Sequence, residues 1–315
     1  MSSKIFCSKC GFENSLENDF CIKCGFVLRK ITEFGEPEVI ANRNQIFSNH
    51  HKEKLNIRYF KSNVYDLILE IIYEQGKNGL KNKKARNIFE EITNIVEAYA
   101  TWDYKSRGEE LGFYVANTIR LDDRLDTSNK IATLIHELAH HIFAEIFEQI
   151  LMYLWNVKKS IDLEVFAKVV TSSSLLAIAN EYCAHTVEGR FIPHGFQNYG
   201  SFNALVNEFS KDIEKEAVFF AVVLGNTIAE DIIDLFDKFI GFDLRERIKK
   251  QYKADNIQPR YDQIVLETKE TFDSEQRDEF LINFISGGYG AFQEDPKLYE
   301  FYDKVKESFI HPENI

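Results

Sequence analysis

Two histidines and a glutamate within five consecutive residues, His136-Glu137-Leu138-Ala139-His140, are the residues of this chain best suited to chemistry. Histidines four positions apart lie on one face of a helix, about 5–6 Å apart at Cβ. Both can therefore bind one zinc ion at about 2.0–2.1 Å. Glu137 is offset by one position, where its carboxylate can take a proton from a zinc-bound water without binding the metal. The pattern predicts a zinc hydrolase with Glu137 as general base.

The residues around this motif favour a helix. Residues 129–158 contain no glycine or proline. Apolar side chains recur at helical spacing and define one buried arc: Ile131, Leu134, Ile135, Leu138, Ile142 and Ile146. The two histidines fall on a different stripe of the same helix, which is typical of a pair that lines a cleft.

A catalytic zinc needs a third protein ligand. Glu181, His185 and Glu188 are spaced i, i+4, i+7 and so share one face of a predicted helix. We favour Glu181 as the ligand and keep His185 and Glu188 as alternatives, because one residue can bind zinc while another orients a ligating histidine. His194 is a further candidate that could polarise a substrate carbonyl, although a plain loop histidine is the simpler interpretation.

The amino terminus carries a second metal pattern. The segment from Phe6 to Phe12 is repeated almost letter for letter from Phe20 to Phe26, and each copy contains a C-x2-C pair. The four cysteines are Cys7, Cys10, Cys21 and Cys24. They predict a closed structural zinc site in a ribbon of residues 1–30, which is too small to fold on apolar burial alone. Two disulfides are the alternative, disfavoured because residues 1–20 contain no apolar signal segment.

The composition and charge of the chain limit the classes of function that it can have. The chain has 315 residues and a net charge of −12, and residues 201–315 hold 14 Lys and Arg against 24 Asp and Glu. This acidic region disfavours nonspecific nucleic-acid binding there. The longest apolar stretch, Ala217 to Gly225, is far shorter than the ~20 residues needed to cross a bilayer. We expect a cytoplasmic protein without a membrane partner, in which the fifth cysteine, Cys183, is a small buried side chain.

The expected organisation has four parts: a zinc ribbon (1–30), a linker (31–50), a zincin-like catalytic domain (51–200) and an acidic helical carboxy-terminal region (201–315). Periodicity predicts helices over 62–75 and 85–100, and one or two short strands between 112 and 122. The chain after residue 160 is predicted to be helical, with a helix end at the glycine-rich run 286–290. The predicted fold class is α+β, mostly helical.

The stretch from Asn117 to Asp122, followed by the run from Thr133 to His140, resembles the ImmA/IrrE-type zinc metallopeptidases. The resemblance covers residues 95–195 and implies a gluzincin-like site. In that family a later helix supplies a glutamate ligand, a position similar to Glu181, although Tyr182 stands where an alanine is common. By analogy with that family, the resemblance implies a peptide bond in a regulatory protein as substrate, and one catalytic zinc in addition to the structural zinc of the ribbon. The ribbon resembles modules that dock a protein or nucleic-acid partner.

Two other functions are compatible with these patterns. A non-catalytic regulator could use the ribbon and the helical region to dock a protein or DNA partner, with the zincin-like core as a scaffold. A zinc hydrolase could instead act on a non-peptide amide, since the water-activating chemistry is the same.

Overall fold

The computed structural model describes residues 4–6, 13–15, 63–80, 83–105, 111–211, 213–294 and 296–311. The four ribbon cysteines, Cys7, Cys10, Cys21 and Cys24, and the predicted linker 31–50 lie outside these residues. In the amino-terminal region, strand β1 (Lys4–Phe6) pairs antiparallel with strand β2 (Glu13–Ser15). The predicted zinc ribbon stays a prediction.

The described chain is mostly helical with one three-stranded sheet, which confirms the predicted fold class at that level. The strands of this sheet are β3 (Thr101–Lys105), β4 (Gly112–Val115) and β5 (Thr118–Asp122). The helices are α1 (Val64–Gly79), α2 (Ile88–Val96), α3 (Thr127–Trp155), α4 (Ile161–Thr171), α5 (Ser174–Phe191), α6 (Gly200–Phe209), α7 (Lys215–Asp237), α8 (Phe242–Ala254), α9 (Ser274–Glu294) and α10 (Pro296–Ile310). Among the described helices, none combines the length and apolarity that a membrane crossing requires.

The chain forms two compact units. The motif unit, residues 76–143 and 174–272, contains the H-E-x-x-H motif and all three strands of the sheet. The companion unit comprises the described parts of residues 1–75, 144–173 and 273–315. The domain boundaries expected from the sequence stay predictions.

The sheet of the motif unit has the order β3-β5-β4, with β3 parallel and β4 antiparallel to the central strand. Ala116 and Asn117 form a two-residue hairpin turn between β4 and β5, and both have positive φ angles, 48° and 60°. The predicted strands between 112 and 122 are confirmed. Strand β3 was not predicted, because its five residues are too short to give a clear alternation.

Helix α3 carries the motif and is fixed at its start by two carboxylates. Asp126 accepts a hydrogen bond from the Asn129 amide at 2.9 Å, and Asp255 accepts from the Ser128 amide at 2.8 Å. Both satisfy amide groups that a helix start leaves unpaired. Every residue of the predicted apolar arc is at most 2 % exposed. The neighbouring His141 points elsewhere, with its Nδ1 3.0 Å from the Tyr114 hydroxyl on strand β4.

Helix α5 supplies the second half of the site and packs closely along α7. A Cβ atom placed on Gly225 of α7 would lie 2.4 Å from the carbonyl oxygen of Ala179 on α5. Only a glycine therefore allows this approach of the two backbones. The contact is two residues from Glu181, so the position of that carboxylate depends on it.

We expect Gly225→Ala to lower the free energy of unfolding by about 1–3 kcal/mol, because the clash is with backbone and one helix must move. Urea denaturation followed by circular dichroism measures this change. The matched control is Gly287→Ala in the interior of α9, where an added Cβ meets nothing within 4 Å. There the same substitution should be neutral or stabilising by up to about 1 kcal/mol. Equal losses in both variants would contradict the close-packing explanation.

An extended segment, residues 257–272, follows helix α8 and runs over the helices of the motif unit. Side chains on the helices hold its main chain, while most of its own side chains are exposed. The hydrogen bonds join Tyr182 to the main chain of Thr268, Asn203 to that of Gln263 and Val265, Asn226 to that of Glu270, and Thr227 to that of Phe272. The segment is thus ordered without secondary structure of its own.

The companion unit contains a cluster of carboxylates around one lysine. The Lys159 ammonium lies 2.8 Å from carboxylate oxygens of Glu145 and Glu148, and 3.3 Å from Glu164. Burial raises the pKa of Glu148 to about 8, and the charge of Glu145 adds to the effect. Glu148 is therefore mostly protonated at neutral pH.

The glycine-rich run 286–290 lies inside helix α9 and does not end it, so the sequence-based interpretation as a helix end is wrong. A Cβ placed on Gly288 would lie 3.1 Å from a methyl group of Val170 on helix α4. Close packing of the two helices therefore accounts for this glycine, and the helix continues through it.

Candidate metal centre

Helices α3 and α5 bring five of the predicted site residues together. His136 and His140 lie one turn apart on α3, and their Nε2 atoms are 3.1 Å apart. Glu181 of α5 faces both, with Oε1 3.6 Å from His136 Nε2 and Oε2 3.4 Å from His140 Nε2. His185 and Glu188 follow on the same face of α5, so this helical face was predicted correctly from the spacing.

Several pairs of donor atoms are spaced as two ligands of one tetrahedral ion would be. With metal–ligand bonds of about 2.0–2.1 Å, the corners of such a tetrahedron are about 3.3–3.4 Å apart. The distances from Glu181 to His136, His140 and His185 lie between 3.4 and 3.6 Å. One imidazole or carboxylate atom each from His136, Glu181 and His185 falls within 4.8 Å of the others. Imidazole and carboxylate are ligands that zinc prefers, so the donor set fits that metal.

The Nδ1 atoms of His136 and His140 each have a hydrogen-bond partner, and these partners orient the two rings so that their Nε2 atoms face each other. His136 Nδ1 lies 3.1 Å from Glu188 Oε2, and His140 Nδ1 lies 2.9 Å from Asn180 Oδ1. Metal-binding histidines usually donate their second ring N–H to such an oxygen, which fixes the tautomer and the orientation. The two motif histidines have this arrangement.

Charges in the cluster compensate one another. Burial disfavours the charged form of His136, but hydrogen bonds to Glu181 and Glu188 outweigh it and raise its pKa well above the usual value. Burial likewise opposes ionisation of Glu181, yet hydrogen bonds from His136, His140 and His185 lower its pKa well below the usual value. The same competition raises the pKa of His185 and lowers that of Glu188. The buried carboxylate of Glu188 and the partly buried one of Glu181 require positive charge nearby, which protons or a metal cation can supply.

Glu137 lies between the two motif histidines on α3 and is buried, with 6 % of its surface exposed. Its negative charge contributes to the raised pKa of His136. A buried carboxylate next to His136 in the H-E-x-x-H motif is where the sequence pattern predicts a general base.

Among the described residues, His194 makes no hydrogen bond, ion pair or ring contact with the five residues of the cluster. It lies in the turn after α5, where its ring is 6.0 Å from that of Tyr261. Cys183 is fully buried, as expected. Three described residues near the site were not predicted: Asn180, Ser201, whose Oγ lies 3.1 Å from His185 Nε2, and Tyr199, whose ring lies 5.4 Å from that of His185. Asn180 directly precedes Glu181, so its proximity had a sequence signal, whereas Ser201 had none.

Comparisons with protein-family models, curated proteins and solved structures found no match to this chain. The assignment of a metal site to this cluster therefore rests on its donor types, their spacing and their hydrogen-bond partners.

Proposed function

We propose that this chain is a zinc-dependent metallopeptidase whose zinc is bound by His136, His140 and Glu181. The observation that carries the proposal is the meeting of these three side chains at distances of 3.1–3.6 Å. Helix α3 contributes both histidines and helix α5 the carboxylate, so the site is held on rigid elements. This two-histidine, one-glutamate set is the ligand set of gluzincin-like peptidases, which agrees with the resemblance to the ImmA/IrrE-type enzymes.

The residues divide the chemistry among them. Bound zinc would acidify water and polarise the substrate carbonyl. The Glu137 carboxylate takes the proton of the attacking water and then delivers it to the leaving amine nitrogen. Glu188 and Asn180 hold the Nδ1 sides of His136 and His140, and so keep the ligating atoms in place.

The other parts of the chain enter this proposal as predictions. We infer that Cys7, Cys10, Cys21 and Cys24 bind a second, structural zinc and that this ribbon docks a protein or nucleic-acid partner. The substrate class we infer is a cytoplasmic protein with a regulatory role, cleaved at a peptide bond.

Zinc stoichiometry tests the proposed site. Native mass spectrometry of the wild-type chain is expected to show two zinc ions, one in the ribbon and one at the helices. His140→Ala removes one of the ligands and should leave one zinc. His194→Ala is the matched control, since the described contact of His194 is with the Tyr261 ring and not with the cluster, and it should keep two. One zinc in all three proteins would contradict a metal site between α3 and α5.

A further inference from the structure

We propose that His185 is a fourth protein donor to the metal and caps the site in its resting state. This inference rests on the proposed function, since it concerns the same ion. In a catalytic zinc site three protein ligands leave one position for water or substrate. A fourth protein ligand would fill that position, so an incoming molecule must first displace His185.

The His185 ring is oriented with its Nε2 atom toward the proposed metal ligands. Its Nε2 lies 3.4 Å from Glu181 Oε1, on the side where the motif histidines present their own Nε2 atoms. Its ring centroid lies 4.6 Å from that of His136. The distance to Glu181 matches the spacing of two ligands on one zinc ion, about 3.3–3.4 Å, better than a strong hydrogen bond.

The surroundings of His185 Nδ1 also support a metal-binding role. Its Nδ1 lies 3.6 Å from Glu188 Oε2, the same oxygen that is 3.1 Å from His136 Nδ1. Among the described residues this buried Nδ1 has no hydrogen-bond partner at normal distance. A shift of a few tenths of an ångström toward Glu188 would give His185 the carboxylate-backed geometry of a metal-binding histidine. Glu188 would then orient two ligands at once.

Ser201 provides the alternative position that an exchangeable ligand needs. Its hydroxyl, at the start of helix α6, lies 3.1 Å from His185 Nε2. The imidazole is 4 % exposed, so an Nε2 atom released from the metal would otherwise be buried without a partner. Ser201 can accept or donate that hydrogen bond, and the two states of His185 then differ by a small rotation.

If His185 only positions Glu181, the number of protein ligands on the metal is different. If its Nε2 only donates a hydrogen bond to Glu181, the metal keeps three protein ligands and an open position in the wild type. The two roles therefore differ in how readily a small anion binds to the metal.

Cobalt(II) is the probe for this difference, and azide is the test ligand. Cobalt is added to full-length protein that already carries one zinc per chain. The absorption spectrum of His140→Ala, treated in the same way, is subtracted so that only cobalt bound between α3 and α5 is observed. If His185 occupies the fourth position more than about nine tenths of the time, azide should bind the wild type about tenfold more weakly than His185→Ala or His185→Gln. Ser201→Ala removes the alternative partner and should weaken azide binding further.

Equal azide affinity in the wild type and both His185 variants would overturn the capping role. Cobalt-edge X-ray absorption of the wild type gives a readout that needs no variant to fold: three imidazole ligands support the proposal and two refute it. If cobalt does not bind between α3 and α5 in the wild type, the proposed function itself is wrong. This outcome differs from equal azide affinity, which contradicts only the capping role of His185.

Discussion

Glu137→Gln is expected to keep both zinc ions and the fold, and to lower the rate of peptide cleavage by about 10²–10⁴-fold, the usual contribution of a general base. Glutamine has nearly the same shape as glutamate and can occupy the same buried position on helix α3. Its amide oxygen is a far weaker base than a carboxylate, so proton transfer from the attacking water is lost. The ligands His136 and His140 are untouched, and zinc content should therefore be unchanged.

The rate can be measured with a mixed library of quenched fluorescent peptides, with zinc per chain recorded on the same samples. Glu148→Gln is the matched control because it makes the same substitution at a buried position three turns further along helix α3. Burial raises the pKa of Glu148 to about 8, so glutamine replaces a side chain that is already mostly neutral, and cleavage should be unaffected. Cleavage by the wild type and by Glu137→Gln at the same rate would refute the general-base role. If the wild type cleaves nothing, the non-catalytic regulator is the better hypothesis.

Glu188→Leu is expected to weaken zinc binding at the helix site by about 10–100-fold, although Glu188 is not proposed as a ligand. Its Oε2 lies 3.1 Å from His136 Nδ1 and 3.6 Å from His185 Nδ1. Leucine removes this acceptor, so the His136 imidazole loses the group that fixes its tautomer and orientation. The loss of a buried negative charge also makes the cluster less attractive to a cation.

Competition with a chromophoric chelator measures this affinity. Glu188→Gln is the control, since its amide oxygen can still accept a hydrogen bond from one histidine, and its affinity should fall between those of the wild type and Glu188→Leu. An affinity of Glu188→Leu equal to that of the wild type would show that His136 is held by packing alone.

The residues that share a helix were predictable from sequence. The spacing of His136 and His140 follows from the helical repeat, and so does that of Glu181, His185 and Glu188. Apolar periodicity signalled helix formation around the motif histidines, whereas the helix of the second set was predicted only as part of a generally helical region after residue 160. The sequence also favoured Glu181 over its neighbours, and Glu181 is the residue whose two oxygens face both motif histidines.

Contacts between distant segments were not predictable. Ser201 reaches His185 because α6 packs beside α5, and a single serine after a loop carries no signal of that packing. The five residues of β3 were missed for a related reason, since their strand is defined by pairing with β5 and hardly by alternation. The glycines of α9 were misinterpreted because local propensity favours a helix end, whereas packing against Val170 favours a small residue within the helix.

The way in which residues 257–272 are held has a consequence for how this protein can diverge. Tyr182, Asn203, Asn226 and Thr227 bind main-chain groups, which nearly every amino acid presents alike. Most substitutions within the segment should therefore be tolerated by evolution. The exceptions are proline at positions whose amides donate, and changes at Tyr261 and Phe272, whose rings contact those of His194 and Phe220. Substitutions of the four helical side chains should not be tolerated. Homologous chains are expected to combine a variable sequence in this segment with an invariant set of polar residues that bind its main chain.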